Sequence, residues 1–139
     1  MPAEQTAIAR KMLDFINAWP NKPAAFSLES IGKAAPAAML LQLASSGRLR
    51  TYVNGSYIGV WGFAVYLRLN KADTSEKLDA LDLYDDVLTY FEESELPVLE
   101  EGMTANKIEL RTTPSLAALY DNGTEDYQAT YQLIYTVKK

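Results

Sequence analysis

The stretch Thr112–Val137 constrains the fold most, because it predicts two strands joined by a tight turn. Its second half alternates apolar and polar residues with the period of two expected of a half-buried strand. The run Asp121-Asn122-Gly123 before it is typical of a turn, and residues 115–120 predict the partner strand. Pro114 separates that strand from a further half-exposed strand at 107–111. The sequence therefore predicts a sheet whose neighbouring strands are antiparallel.

Two other stretches predict amphipathic helices. Residues 4–19 place apolar side chains at the three-and-four spacing that gives a helix one apolar face, and Pro20 ends the pattern. A second helix of roughly 20 residues opens at Asp73-Thr74-Ser75-Glu76, where either Thr74 or Asp73 can cap it. Leu81 and Phe91 are expected on the buried stripe of this second helix.

A second hairpin is predicted in the middle of the chain. Strands at 48–53 and 57–70 flank Asn54-Gly55, a dipeptide that suits a two-residue type I′ turn. Gly59 and Gly62 in the second of these strands indicate a bulge or the close approach of another backbone. The order helix, strands, helix, strands predicts an α+β fold in which two main helices pack on a mainly antiparallel sheet.

Composition narrows the class of protein. The 139 residues fit a single domain, 1–139, and an apolar content of 48% is enough for a real core. The chain has no His and no Cys, which removes the usual metal ligands, shuttling bases and thiol nucleophiles, as well as any disulfide. No run approaches the ~20 apolar residues that cross a bilayer. A formal net charge of −5 argues against binding nucleic acid through its phosphates.

The charges are distributed unevenly. Residues 73–101 carry eleven acids and one base, so the remainder of the chain is net positive. The basic residues expected on strands are Arg48, Arg50, Arg68, Lys107 and Arg111. One interpretation is a solvated acidic helix, and the other is a pair of complementary faces that meet between copies of the chain.

The residues offer little sign of catalysis. Asp82 and Asp86 lie one helical turn apart and could hold a hard cation or work as acid and base, but a solvated acidic face explains them as well. No glycine-rich phosphate motif is present, and no serine has a histidine to activate it. The nine tyrosines fit either an interface or the boundary between core and water. We expect no enzyme activity, no cofactor and no metal.

Three stretches of the chain resemble a known family. They are YVNGSYIGVWGFAVYLRL at 52–69, KLDALDLYDDVLTYFE at 77–92 with ELPVL at 95–99, and IELRTTPSLAALYDNGTEDYQATYQLIY at 108–135. In these stretches the chain is similar to the phage minor capsid protein family of siphoviruses and of prophages in Gram-positive bacteria. The run PSLAALYDNGTEDYQA is the most specific part of the resemblance.

The resemblance implies a structural role at the junction of a phage head and tail. Family members are associated with tail terminators and head–tail connectors, which place helices against a curved antiparallel sheet and assemble as rings, commonly hexamers. The implied partners are further copies of the chain, the tail tube protein and the neighbouring neck or head-completion proteins. The implied location is the virion, after synthesis in the cytoplasm of the bacterial host. Neither specific nucleic-acid binding nor a membrane is implied.

Two sets of residues are candidates for that role. The candidate contacts with other copies or partners are Arg48, Arg50, Tyr52, Asn54, Tyr57, Tyr127 and Tyr131. The candidate acidic lining of the ring lumen, which would repel DNA phosphates, is Asp79, Asp82 and Asp86. The alternative function is a small α+β module that binds a ligand or protein outside any virion, and it predicts an apolar pocket between the sheet and the second helix.

Overall fold

The computed structural model confirms the α+β class, with two helices and a six-stranded, mostly antiparallel sheet that is not closed. It describes residues 2–28, 37–43, 46–69, 74–99, 102–119 and 124–138, and within these ranges the description omits the side chains of 2–5, 74–80 and 119. The elements are α1 (Pro2–Asn17), β1 (Phe26–Leu28), β2 (Ala37–Gln42), β3 (Gly47–Thr51), β4 (Tyr57–Leu69), α2 (Thr74–Glu93), β5 (Met103–Leu119) and β6 (Glu125–Val137).

The strands β4 and β6 form the centre of the sheet. They pair along their whole length, from Tyr57 opposite Val137 to Leu69 opposite Glu125. The strand order is β1-β2-β4-β6-β5, and among the described strands only the β1–β2 pair is parallel. Because β4 and β6 have partners on both sides, they hold the buried residues, and β5 is left as an edge strand.

The strands β2 and β3 share one edge of β4, and an interruption opposite Gly62 separates them. The Ser46 hydroxyl accepts the Gly62 N–H at 2.9 Å and donates to the Leu43 carbonyl at 3.0 Å, while the Leu43 N–H donates to the Gly62 carbonyl at 2.8 Å. At Gly62 the partner of β4 changes from β3 to β2, and no bulge is found there among the described residues. The predicted irregularity lies at Gly59, because the register of β3 shifts between Arg48 and Arg50, opposite Gly59 and Ile58. The group that closely approaches Gly59 is the Tyr135 side chain and not a backbone.

One face of the sheet carries the hydrophobic core. Side chains from alternate residues of β4 and β6 lie under the helices, and the Phe63 ring stacks on Tyr131 with centroids 5.5 Å apart. Phe91 of α2 meets Tyr131 edge-on at 5.2 Å. Phe15 of α1 stacks on Tyr90 of α2 at 4.8 Å, so aromatic contacts join both helices to each other and to the sheet.

The middle hairpin turns differently from the sequence prediction. The Tyr52 N–H donates to the Ser56 carbonyl at 2.7 Å, and the Gly55 N–H donates to the Tyr52 carbonyl at 3.0 Å. The loop thus has three residues, with Val53 and Asn54 at its centre and Gly55 at a φ of 90°. The Asn54 side chain accepts the Ser56 N–H at 3.0 Å, which stabilises this loop over the predicted two-residue type I′ turn.

Two further predictions need correction. Pro114 does not divide the strand, because β5 runs from Met103 to Leu119 with several shifts in its register against β6. An edge strand tolerates proline where the missing N–H would have faced away from the neighbouring strand. Leu81 is not on the buried stripe of α2, since 43% of its surface is exposed. The expected turn at 121–123 lies outside the described residues.

Candidate functional site

The β3–β4 hairpin presents an exposed apolar and cationic surface. All five residues of β3 are exposed, because β3 is hydrogen-bonded to β4 alone among the described strands. We define the hairpin tip as Leu49, Arg50, Tyr52, Val53 and Asn54. Leu49 has 63% of its surface exposed and Val53 is fully exposed, which is unusual for large apolar side chains so close together.

The other two candidate contacts in this hairpin are engaged within the chain. The Arg48 guanidinium lies over the Tyr57 ring, with Cζ 3.9 Å from the ring centroid. Tyr57 itself is only 1% exposed, so Arg48 covers the end of the core through a cation–π contact. Arg48 and the hairpin tip therefore form the surface of the hairpin, and the buried Tyr57 ring packs beneath the Arg48 guanidinium.

Tyr127 and Tyr131, the candidate contacts on β6, lie in the hydrophobic core. Burial raises the pKa of both phenols above its ordinary value, because the charged form loses its solvation. The Tyr127 hydroxyl donates to the Glu125 carboxylate at 3.3 Å. A role for these two side chains in subunit contacts stays a prediction. The alternation along β6 predicts that Tyr127 and Tyr131 share one face of the sheet. It does not indicate that the helices cover this face, as they do in the structure.

The three candidate lumen acids differ in their surroundings. Asp86 accepts hydrogen bonds from Trp19 Nε1 at 2.5 Å and from Asn21 Nδ2 at 3.0 Å, so it ties the end of α1 to α2. Asp82 is exposed, and the side chain of Asp79 lies outside the described residues. The structural role of Asp86 was missed from the sequence, because its partners are more than 60 residues away along the chain. A lumen-facing position for these acids stays a prediction.

The exposed part of α2 combines acids with an apolar side chain. Leu81, Asp82 and Asp85 are all exposed and lie within little more than one helical turn. We call these three residues the acidic helix face. Asp86 lies one helical turn from Asp82 but is not included, because it is only partly exposed and accepts hydrogen bonds from Trp19 and Asn21.

Several basic residues of the strands are already paired with acids. The Arg68 guanidinium donates two hydrogen bonds to Asp126, its cross-strand neighbour, at 2.8 and 3.0 Å. Lys107 lies 3.2 Å from Glu109, and Gln132 donates to Glu109 at 2.8 Å, which lowers the pKa of that carboxyl. Arg68 and Lys107 therefore contribute little net charge to a basic face, and the hairpin is the stronger candidate for one.

Two surface pockets of about 350 and 360 Å³ lie at the edges of the helical layer. The first, between the end of α2 and β5, is lined by Phe91, Glu92, Ser94, Leu96, Asn106, Lys107 and Ile108. The second is lined by Thr6, Ala9, Arg10, Leu28 and Gln42. Both mix polar and apolar side chains, and the first lies where the alternative function predicts a pocket.

Across the described ranges, no three acidic side chains come together as a metal site would need. Within the same part of the chain, neither helix is long and apolar enough to cross a bilayer.

The fold is shared with a chain from the virion of a native gene transfer agent particle. The two superpose with a TM-score of 0.55 at 10% sequence identity, over 95% of this chain and 93% of the other. At that identity the likeness shows a common fold alone. A second solved structure, 20% identical over 97% of this chain and 93% of its own, gives a TM-score of 0.40, which is too low to carry an argument.

Comparisons of sequence add no relative. No protein-family profile matches the chain, and no curated protein matches it. Membership of the phage minor capsid protein family therefore stays a prediction from the resembling stretches.

Proposed function

We propose that this chain is a structural subunit of a phage-type virion, and that it assembles into a ring at the head–tail junction as a tail terminator or neck connector. The ring would contact the tail tube protein on one side and neck or head-completion proteins on the other. The subunit would be made in the bacterial cytoplasm and carried in the particle. Such a role requires interfaces and needs no catalytic group.

The observation that carries the proposal is the superposition on a chain of the gene transfer agent virion. The aligned region spans 95% of this chain and 93% of the other, with a TM-score of 0.55. An alignment of that extent is much longer than a single shared hairpin. The particle's description applies to that protein, and its extension to this chain is our proposal.

The resembling stretches support the same role. Residues 52–69 form the end of the middle hairpin and β4, residues 77–92 lie in α2, and residues 108–135 contain most of β5 and β6. These are the centre of the sheet, one edge strand and the helix that packs on them. The resemblance therefore involves the elements that define the fold, rather than a peripheral loop.

The surfaces also suit a subunit that binds its own copies. The hairpin tip exposes apolar and cationic side chains, whereas α2 exposes acids around Leu81. Exposed apolar groups of this kind are typical of interaction sites on a protein surface. Two different, complementary patches favour a head-to-tail contact, and head-to-tail contacts form closed rings when their rotation closes.

Native mass spectrometry and negative-stain microscopy over a range of concentrations test ring formation. We expect a closed ring, with six copies as the first expectation, that becomes more populated as concentration rises. Adding the tail tube protein should favour the ring at lower concentration, because a template stabilises assembled subunits. A chain that stays monomeric or dimeric at high concentration, with and without the tail tube protein, would contradict the proposal.

One observation favours the alternative of a small binding module. The pocket between α2 and β5 has about 350 Å³, which falls within the range of small-ligand sites. Ligand-observed NMR with a fragment library distinguishes the two functions. If the chain is a binding module, a fragment should bind saturably, Leu96→Asp should abolish that binding, and the chain should form no ring. If the chain is a virion subunit, it should form rings, and Leu96→Asp should leave ring formation intact.

A further inference from the structure

We propose that the hairpin tip of one copy binds the acidic helix face of the next copy, so that neighbouring subunits meet head to tail. This inference rests on the proposed function, because it names the contact through which the subunits assemble. The occupant of the hairpin surface is thus a second copy of this chain.

The first argument is the exposed apolar area. Leu49, Tyr52 and Val53 expose 63%, 44% and all of their side-chain surface at one end of the sheet. Leu81 exposes 43% on α2, at a helix position where the sequence pattern predicts burial. Burying apolar surface is favourable, so a contact that covers these groups together has a driving force.

The second argument is charge. Arg50 is exposed at the hairpin tip, and no ion pair of this side chain is found in the described part of the chain. Asp82 and Asp85 are both exposed within the helical turn that follows Leu81. When the apolar groups meet, the arginine and the carboxylates come together at the rim, where opposite charges steer association and fix its register.

The third argument is geometry within one chain. The Tyr84 hydroxyl, on α2, donates to the Val65 carbonyl on β4 at 2.9 Å. Val65 is eight residues from Tyr57, where the hairpin begins, which corresponds to about 26 Å along an extended strand. The three-residue loop cannot span that distance, so the tip reaches an acidic helix face only on another molecule. Two distinct patches in contact form a heterologous interface, which is the kind that generates rings.

Disulfide cross-linking tests this contact directly, because the natural chain contains no cysteine. Val53→Cys protein and Leu81→Cys protein, each with a single thiol, are mixed in equal amounts and oxidised at a concentration where the wild type associates. We expect the mixed disulfide to exceed both homodimers at least fivefold. Val98→Cys, on a side chain 82% exposed beyond the end of α2, replaces Leu81→Cys as the control and should give no such excess. Equal yields with Val98→Cys, or homodimers as the main product, would overturn the contact.

A charge exchange gives a second test that does not depend on thiol chemistry. Arg50→Asp should weaken self-association at least tenfold, and a partner carrying Asp82→Arg should restore the mixed assembly. Lys11→Asp makes the same charge change on an exposed position of α1 and should leave association unchanged. If Arg50→Asp behaves like Lys11→Asp, the contact is wrong.

The outcomes separate this inference from the proposed function. A ring that forms without the Val53–Leu81 cross-link leaves the virion role standing and overturns the contact. A specific cross-link in a chain that never forms a ring supports the contact and contradicts the virion role.

Discussion

Gly59 in β4 gives the sharpest test of the packing, because a fully buried tyrosine ring lies directly over it. A Cβ added at this position would lie 2.4 Å from Cζ, 2.5 Å from the hydroxyl and 2.8 Å from Cε2 of Tyr135. Tyr135 is opposite Gly59 on β6 and is 0% exposed. The ring therefore has no open space into which it can move, and Gly59→Ala forces either strand or ring to shift.

The magnitude follows from two opposing effects. Overpacking a core costs about 1–3 kcal/mol, and three Tyr135 side-chain atoms in contact with one methyl group place this case near 3 kcal/mol. Alanine offsets this cost by about 0.5–1 kcal/mol, since glycine loses more backbone conformational entropy on folding than alanine does. We expect the free energy of unfolding to fall by about 2 kcal/mol.

Urea unfolding at a dilution where the chain is monomeric measures this loss without a contribution from assembly. Gly47→Ala in β3 is the matched control, because a Cβ at Gly47 meets nothing within 4 Å. It should be neutral or stabilise the protein by about 0.5 kcal/mol. The two glycines are both in strands, so the comparison isolates the contact with the ring.

A double-mutant cycle supplies the refutation. In a Tyr135→Leu background the ring is gone, and Gly59→Ala should then cost less than about 0.5 kcal/mol. If Gly59→Ala costs the same in both backgrounds, or behaves like Gly47→Ala in the wild type, then the ring does not lie over Gly59 as described.

Three other substitutions test separate parts of the structure. Asp86→Ala removes the acceptor of a buried indole N–H and should cost about 1–3 kcal/mol in urea unfolding, whereas exposed Asp82→Ala should stay within about 0.5 kcal/mol. Ser46→Ala removes the acceptor of the Gly62 N–H, and that amide should exchange faster in hydrogen-exchange NMR.

Burial raises the pKa of Tyr84 above its ordinary value of 10.0, so the native state keeps a proton that the unfolded chain loses at higher pH. Stability from this group is therefore complete below pH 10 and falls above it, and Tyr84→Phe should flatten the alkaline fall in unfolding free energy.

The two hairpin pairings, β3 with β4 and β5 with β6, could be predicted because they depend on local patterns, whereas the central pairing of β4 with β6 joins distant segments and was not predicted. The alternation in β6 indicated which of its residues share a face, and these residues do lie in the core. Burial on one face of a strand repeats every second residue, so a dozen residues suffice to show it. The class of fold followed from the order of such segments.

Features that depend on distant residues could not be predicted. The spacing of Asp82 and Asp86 predicts the same exposed helix face for both. Only the folded structure shows that Trp19 and Asn21 donate hydrogen bonds to Asp86. Leu81 has the spacing of a buried residue but is 43% exposed, because exposure depends on how the helix packs on the rest of the chain. The length of the β3–β4 loop could not be predicted, because Gly55 is compatible with both a two-residue and a three-residue loop.

Quantitative mass spectrometry of purified particles tests the central proposal most directly. Particles released by the cells that encode this chain are purified, and copies of the chain are counted against those of the tail tube protein. A structural subunit of one ring predicts a small, fixed copy number per particle, equal to the number of subunits in the ring seen by microscopy. A chain that is absent from purified particles, or present in amounts that vary between preparations, would contradict the proposed role.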